Sequence, residues 1–463
     1  MKTVFINPSI RPDAKRKMLP VGLGYILTAV KNGGIGYDLI DMDIDNISIQ
    51  GLEKILGKKT YDVYCLGCIV TGYKFVKAIC SMIRRTNPSA IIIIGNSVAT
   101  SIPQLLLART EANIGIMGEG DIIIVDLLKA INGNLPISEV KGIVFKKDGK
   151  IFFTPKRMVV KNIDSLGFPD WSIFAIDKYK QFGKDNALSA DDGEVVYYPL
   201  NSARGCPFNC TFCYHVFKGE QYRKYSEDAV MKEIKRLNVI YGANHVGFWD
   251  ELTFSNIHAV KERIKRLKAL ECKVSWTGPI RGDLFKKEDV GLIKDLKSTG
   301  CSALGYSLEN ASPEILAAIN KRMSVKQFIE QSMALWSGGI TPLTSVIFGY
   351  PQETVESIRL TIKVCEECNI FPSVGYLLPL PGTRIYEWAK NNGYIGDEEI
   401  FLERIGDRQD FHINLTRMPT KELIATVTGE LEVLAKKQGL KVNSVMKTGG
   451  YKRLKPKGEI RNA

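Results

Sequence analysis

Arg204-Gly-Cys-Pro-Phe-Asn-Cys-Thr-Phe-Cys-Tyr214 puts three cysteines, Cys206, Cys210 and Cys213, on one short loop. Three thiolates so spaced can hold three corners of a cubane [4Fe–4S] cluster, because thiolate is the ligand these clusters require. The fourth iron then lacks a protein ligand nearby, and an open metal position is where a substrate or cosubstrate binds. A zinc site would want a fourth ligand, for which His215, two residues past the last cysteine, is the one nearby candidate. A disulfide framework does not fit 10 cysteines spread over 463 residues without small-domain spacing.

The sequence on either side of the loop sets its frame. From about residue 195 to 390, strands at 195–200, 245–249, 273–276, 303–306, 343–348 and 373–378 alternate with helices near 226–239, 257–270, 286–298, 312–319, 325–337 and 353–368. About six β/α units make a partial (β/α)6 TIM barrel, whose sites gather at the C-terminal ends of the strands. The first ~130 residues alternate strand and helix as a doubly wound, Rossmann-like α/β sheet, with continuous apolar runs at Tyr61–Leu66 and Ile91–Ile94 typical of strands buried on both faces. Such sheets bind ligands beyond the carboxyl ends of their strands. Residues 139–160 read as a hairpin about Asp148-Gly149, and Leu166-Gly-Phe-Pro-Asp-Trp171 reads as a linker. The expected domains are therefore 1–135 (Rossmann-like), 136–190 (hairpin and linker), 191–395 (barrel) and 396–463, a mainly helical C-terminal region with a basic tail.

The cysteine loop resembles the signature of the radical S-adenosylmethionine (SAM) enzymes. That resemblance implies an open iron chelating the amino and carboxylate groups of SAM. It also implies a SAM site at the strand ends. Tyr214 belongs to it, as do Asp250 and Glu251 in Phe248-Trp-Asp-Glu-Leu-Thr-Phe254, which would accept the SAM ammonium. Arg281 would pair with the SAM carboxylate in a bidentate fashion, and Ser307 and Glu309 would serve the ribose or methionine portion. The Gly349-Tyr-Pro and Pro381-Gly-Thr turns read as backbone punctuation, and Lys321 as a solvated helix-end charge.

The first domain is similar to the cobalamin-binding domain that precedes many radical SAM cores. The similarity rests on Pro20-Val-Gly-Leu-Gly-Tyr25, the Gly95 loop and Gly118-Glu-Gly-Asp121, taken in order. It implies corrinoid contacts from Asn7 and Pro8, from Val70, Thr71 and Gly72, from Gly95, Asn96 and Ser97, and from Gly118, Glu119 and Gly120. Many such domains carry Asp-x-His-x-x-Gly, whose histidine ligates cobalt from below. The four histidines here are at 215, 245, 258 and 412, so none lies in the first domain. The implied cofactor is base-off cobalamin without a lower histidine from that domain, a state that eases reduction to cobalt(I).

Together these resemblances imply a cobalamin-dependent radical SAM enzyme, in most characterised cases a methyltransferase. One SAM would methylate cobalt, a second would yield a 5′-deoxyadenosyl radical, and the substrate radical would take the methyl group from methylcobalamin. The two domains would then face one cavity. The expected substrate is a small molecule, lipid or peptide C-methylated at an unactivated carbon, with a flavodoxin- or ferredoxin-type electron donor. Three alternatives stay open: a non-methylating enzyme making a ring or an oxidation, an RNA methylthiotransferase, and a cobalamin carrier. The second draws on Cys65, Cys68 and Cys80, although an apolar strand and its helix make them read as buried small hydrophobes.

Composition narrows the setting. Hydrophobic content of 45% with 24% charged residues is that of a soluble globular protein, and no apolar run approaches the ~20 residues of a membrane helix. The start, Met1-Lys-Thr-Val-Phe-Ile-Asn-Pro8, reads as a strand and not a secretion signal, which points to a reducing cytoplasm. Of the net +13, eight charges belong to residues 436–463, where nine Lys/Arg face one Glu. That tail could touch an anionic surface.

Overall fold

The structure, a computed structural model, describes residues 1–187 and 193–441 apart from positions 13, 15 and 135, together with 445, 446 and 454. It divides into two compact units. The first comprises 1–179, 214–220 and 380–406, and the second 180–213, 221–379 and 407–463.

In the first unit, β1 (Thr3–Asn7), β2 (Asp38–Asp41), β3 (Val63–Gly67), β4 (Ile91–Gly95) and β5 (Ile114–Ile116) are parallel neighbours in the order β2-β1-β3-β4-β5. The apolar runs explain the layering. Val63, Tyr64, Leu66 and Ile92 to Ile94 are buried, which requires helices on both faces. Helix Tyr73–Thr86 supplies Val76, Ile79, Cys80 and Ile83 at helical spacing, all buried. The expected hairpin forms as β6 (Ile143–Lys147) and β7 (Lys150–Phe153), and it extends the same sheet antiparallel to β5. Its turn has Asp148 and Gly149 at φ 48° and 73°, the left-handed pair that matches strand twist. Strand order reverses between β1 and β3, so their carboxyl ends open the crevice where doubly wound sheets hold ligands.

Helix Glu398–Arg404 belongs to this unit because Lys77 reaches Glu399 at 2.7 Å and Glu403 at 2.6 Å, and Tyr73 meets Glu399 at 3.1 Å.

In the second unit, β8 (Tyr197–Leu200) is followed by a short antiparallel pair, β9 (Ala203–Arg204) and β10 (Arg223–Lys224). Then β11 (His245–Phe248), β12 (Ser275–Pro279), β13 (Cys301–Glu309), β14 (Thr341–Phe348) and β15 (Ser373–Tyr376) join β8 in one six-stranded parallel sheet in sequential order. This is the expected partial TIM barrel. Alternate residues separate its two faces. Phe248 lies under Arg263 of helix Ile257–Lys268, 4.8 Å from ring centre to guanidinium, and the Tyr306 hydroxyl reaches Ser332 of helix Val325–Ser337 at 2.7 Å. The opposite face carries Thr277, Gly305, Ser307, Ser345, Ser373 and Gly375 across adjacent strands. Side chains there are short, Thr277, Gly305 and Ser307 are half-buried, and Arg408 packs on Gly375 and donates to Ser373 Oγ at 3.3 Å.

Helix Thr420–Lys437 packs on helix Val355–Glu367, with Arg359–Glu430 and Lys437–Glu366 both at 2.9 Å. The basic stretch 451–457 lies, Leu454 aside, outside the described residues. Among the described residues no helix is long and apolar enough to cross a membrane.

Candidate active site

The cysteine loop is braced by residues from four successive strand ends. After β11, buried Asp250 accepts from the Ser202 N–H (2.7 Å), the Ser202 hydroxyl (2.7 Å) and the Ala203 N–H (2.9 Å). Burial pushes its carboxyl up to about 6 against the pull of those donors. Asp250 thus holds the start of the cysteine loop through three of its acceptor positions. Glu251 next to it is solvent-accessible and accepts from the Gly205 N–H at 3.1 Å.

After β12, Arg281 lies flat on Phe208, its guanidinium 3.7 Å from the ring centre. Its Nε donates to Asp283 at 2.9 Å, and its Nη2 donates to the carbonyls of Lys321 (2.5 Å) and Arg322 (3.0 Å). Through Nε and Nη2 it ties Asp283 and the Lys321 turn to the loop. After β13, the turn that ends helix Pro313–Ala318 pins the loop through Asn320 Nδ2 to the Asn209 carbonyl (2.9 Å) and the Thr211 N–H to the Ile319 carbonyl (3.0 Å). After β14, Tyr350 meets Phe212 edge-on, ring centres 6.3 Å apart.

Glu309 closes β13 where the register with β14 shifts, and its φ of 64° is left-handed. Such a bulge re-aims a side chain. Here it turns the carboxylate onto Lys321 Nζ at 2.8 Å, with both side chains nearly buried. The reading of Lys321 as a solvated charge is therefore corrected: a buried carboxylate demands a partner, and Lys321 is it. Ser307 shares a 2.7 Å hydrogen bond with Ser345 on the inner face. Glu353, which the sequence did not single out, is buried and accepts from the Gly349 N–H (3.0 Å) and Asn310 Nδ2 (3.1 Å), while Gly349 at φ 96° fits the punctuation reading.

The chemistry of the three loop sulfurs suits a cluster with one open corner, while among the described residues no three Cys, His, Asp or Glu side chains are gathered to hold a single metal ion. Cys206 and Cys210 are partly exposed and Cys213 exposed, whereas Cys65, Cys68, Cys80, Cys301, Cys365 and Cys368 are buried. Burial pushes the Cys68 and Cys80 thiols up to about 12 and Cys65 higher still. Metal-binding sulfur must be thiolate, so those three are poor ligands and behave as small core residues. At Cys206 burial raises the thiol, while the Phe208 N–H and the Arg281 charge favour thiolate.

In the first unit the expected corrinoid contacts gather at the sheet's carboxyl end. Asn7 Nδ2 donates to Asp41 at 2.7 Å. Pro8 is buried and Thr71 partly so. The Val70 N–H donates to Ser97 Oγ at 2.8 Å, joining the β3 and β4 loops. Gly72 is a close approach: a Cβ there would lie 2.3 Å from Cys68 Sγ. Beyond Gly95, Asn96 is exposed at φ 69°, and the Gly118 N–H donates to Thr100 Oγ1 at 3.0 Å. Glu119 accepts from the Val160 N–H at 2.9 Å, and a Cβ on Gly120 would meet Ile26 at 3.0 Å. Tyr214 belongs to this unit; a Cβ on Gly382 would come within 3.0 Å of its ring and 3.7 Å of Ser101. So does His215, which is buried with Nδ1 unpartnered.

Two family models match: B12 binding domain over residues 11–128 and Radical SAM superfamily over 200–365, together more than half of the chain. An uncharacterized methyltransferase of Pyrococcus horikoshii is 26% identical over 402 residues, covering 85% of this chain and 84% of its own. The anaerobic magnesium-protoporphyrin IX monomethyl ester cyclase of Rubrivivax gelatinosus is 25% identical over 396 residues, covering 80% and 66%. The fold is shared with the radical SAM methyltransferase TsrM of Kitasatospora setae, at TM-score 0.72 and 14% identity over 97% of this chain and 93% of that one. Both domains, in this order and on these folds, place the chain among the cobalamin-dependent radical SAM enzymes, which use a [4Fe–4S] cluster, SAM and cobalamin.

Proposed function

We propose that this enzyme methylates an unactivated carbon of a small-molecule, lipid or peptide substrate. The observation that carries the proposal is the three-thiol loop, braced at the barrel's strand ends and followed inward by a small, polar face. When bound, the cluster delivers the electron that cleaves SAM, and the corrinoid carries the methyl group. The chain's own residues do the rest. Cys206, Cys210 and Cys213 would hold three irons, and the contacts on Phe208, Asn209, Thr211 and Phe212 would keep the loop in one arrangement around them. Glu251 is the accessible carboxylate for the SAM ammonium. Half-buried Ser307 offers its hydroxyl on the inner face beside Gly305, which would serve the cosubstrate. A dry, shaped cavity protects a reactive carbon radical from side reactions.

Supply of electrons by a flavodoxin- or ferredoxin-type donor, and work in a reducing cytoplasm, belong to the same proposal because the cluster must be reduced to act. So does base-off cobalamin. Cob(II)alamin bound to this protein is expected to show no nitrogen superhyperfine splitting in its EPR spectrum. A triplet would contradict that, and its loss in His215→Ala would name the donor. The main test is anaerobic turnover of the reconstituted enzyme with methyl-labelled SAM. Failure to bind cobalamin, or to form 5′-deoxyadenosine under reductant, sinks the proposal. The cyclase relative supports a second reading, ring formation without methylation. Product mass separates the two: a methyl gained against hydrogens lost.

A further inference from the structure

Tyr350 follows Gly349 at the end of β14, fully buried at 0% exposure, and its hydroxyl has no hydrogen-bond partner. A buried polar group left alone is unusual and calls for a physical account. The carboxylates near it are already served: Glu309 by Lys321 Nζ, and Glu353 by Asn310 and the Gly349 N–H. Its ring lies edge-on to Phe212, which stands between Cys210 and Cys213. That ring contact sets the phenol against the cysteine loop, and burial holds its pKa well above the ordinary value, so it stays a proton donor. Among the described residues the hydroxyl therefore still needs an acceptor, and the cysteine loop is the neighbour its ring touches.

We infer that the Tyr350 hydroxyl donates a hydrogen bond to a cluster sulfide on the side of the loop where Phe212 packs, and so raises the cluster's reduction potential. Hydrogen bonds to cluster sulfurs are among the levers that set that potential, because they stabilise the added negative charge of the reduced state. Tyr350 is then a positioning residue that eases uptake of the electron needed for SAM cleavage. The inference rests on the cluster reading of the loop.

The test uses full-length protein reconstituted anaerobically, without SAM. Tyr350→Phe removes only the hydroxyl and is expected to retain the wild-type iron content. Its EPR-monitored midpoint is expected to shift to lower potential, so that at one fixed poise its ratio of reduced to oxidised cluster falls several-fold. A tenfold fall corresponds to 59 mV for one electron. Equal iron with an unchanged midpoint overturns the inference. If the variant cannot hold iron, the wild type decides alone: its reduced cluster must show a strongly coupled proton that disappears in D2O, and absence of such a proton overturns the inference. Wild type without iron defeats both this inference and the cluster reading, whereas an unchanged midpoint defeats only the former.

Discussion

Replacing Lys321 with Met removes the ammonium that Glu309 faces at 2.8 Å, where the two side chains are only 11% and 6% exposed. At an effective dielectric near 20, that separation corresponds to about 6 kcal/mol of gross attraction. Much of this offsets the cost of taking two charges out of water, so the pair itself adds little. Breaking it is different: the carboxylate stays buried with no counter-charge, which typically costs about 3–5 kcal/mol. For a compact unit of ~250 residues each kcal/mol moves the midpoint by roughly 2–4 °C, so unit two should melt about 6–20 °C lower. The same turn pins the cysteine loop through Asn320 and Ile319, so retained iron should fall with stability. Lys321→Met/Glu309→Gln, with no bare charge, should regain most of the loss. The assay is urea and thermal denaturation of the three variants, with iron counted after reconstitution. A single variant within 1 kcal/mol of wild type, or a double variant no more stable than the single, refutes the reasoning.

Asp250 predicts a pH effect. Its carboxyl is lifted from 3.8 to about 6 in the fold, so the native state binds the extra proton between those values. Stability from this group is greatest below about pH 4 and is lost as pH rises through about 6, by about 3 kcal/mol in all. The difference in unfolding free energy between wild type and Asp250→Asn, followed from pH 4 to 8, should trace that loss; a flat difference would count against it. Gly72→Ala would put a methyl 2.3 Å from Cys68 Sγ and 2.9 Å from Ile10. Overpacking of this kind costs about 1–3 kcal/mol, and adding Cys68→Ala should relieve part of it in a thermal melt, with corrinoid retention on gel filtration following the same order. Any one of Cys206→Ala, Cys210→Ala or Cys213→Ala should abolish the cluster absorbance and reductive SAM cleavage while leaving cobalamin binding intact. Survival of SAM cleavage would dismiss the loop as the cluster's holder.

Local chemistry explains what the sequence made legible. The cysteine spacing, the strand-ending Gly and Pro residues, the Asp148-Gly149 hairpin and the apolar runs of β3 and β4 each act within a few residues, and each appears where expected. Non-local pairing explains the rest. Lys321 reads as a surface charge in Ile319-Asn-Lys-Arg322 because nothing local reveals that a bulge at Glu309, 12 positions earlier, turns a carboxylate toward it. Asp250 and Arg281 were identifiable as strand-end residues near the site. That they also bond to Ser202, 48 positions away, and to Lys321, 40 away, depends on the finished barrel. Helix Glu398–Arg404 likewise groups with the first unit through contacts to Tyr73 and Lys77 more than 300 positions distant.

Spending charged strand-end residues on the loop has a physical reason. A stretch of irregular backbone carrying three sulfurs has many conformations, and fixing each residue costs about 1–2 kcal/mol. Left loose, it could bring a fourth donor or water to the open iron. Bracing from β11, β12, β13 and β14 distributes that constraint over contacts that are each modest: a carboxylate on backbone N–H groups, a guanidinium on Phe208, two backbone pins and an aromatic edge. Loss of one brace should then lower cluster retention in part, whereas loss of a cysteine should abolish it. Alternate residues of the barrel strands divide the remaining work: the helix side is filled by Trp276, Tyr306 and Phe328, whereas the other face carries the short, half-buried Thr277, Gly305 and Ser307 and is covered at Ser373 and Gly375 by Arg408.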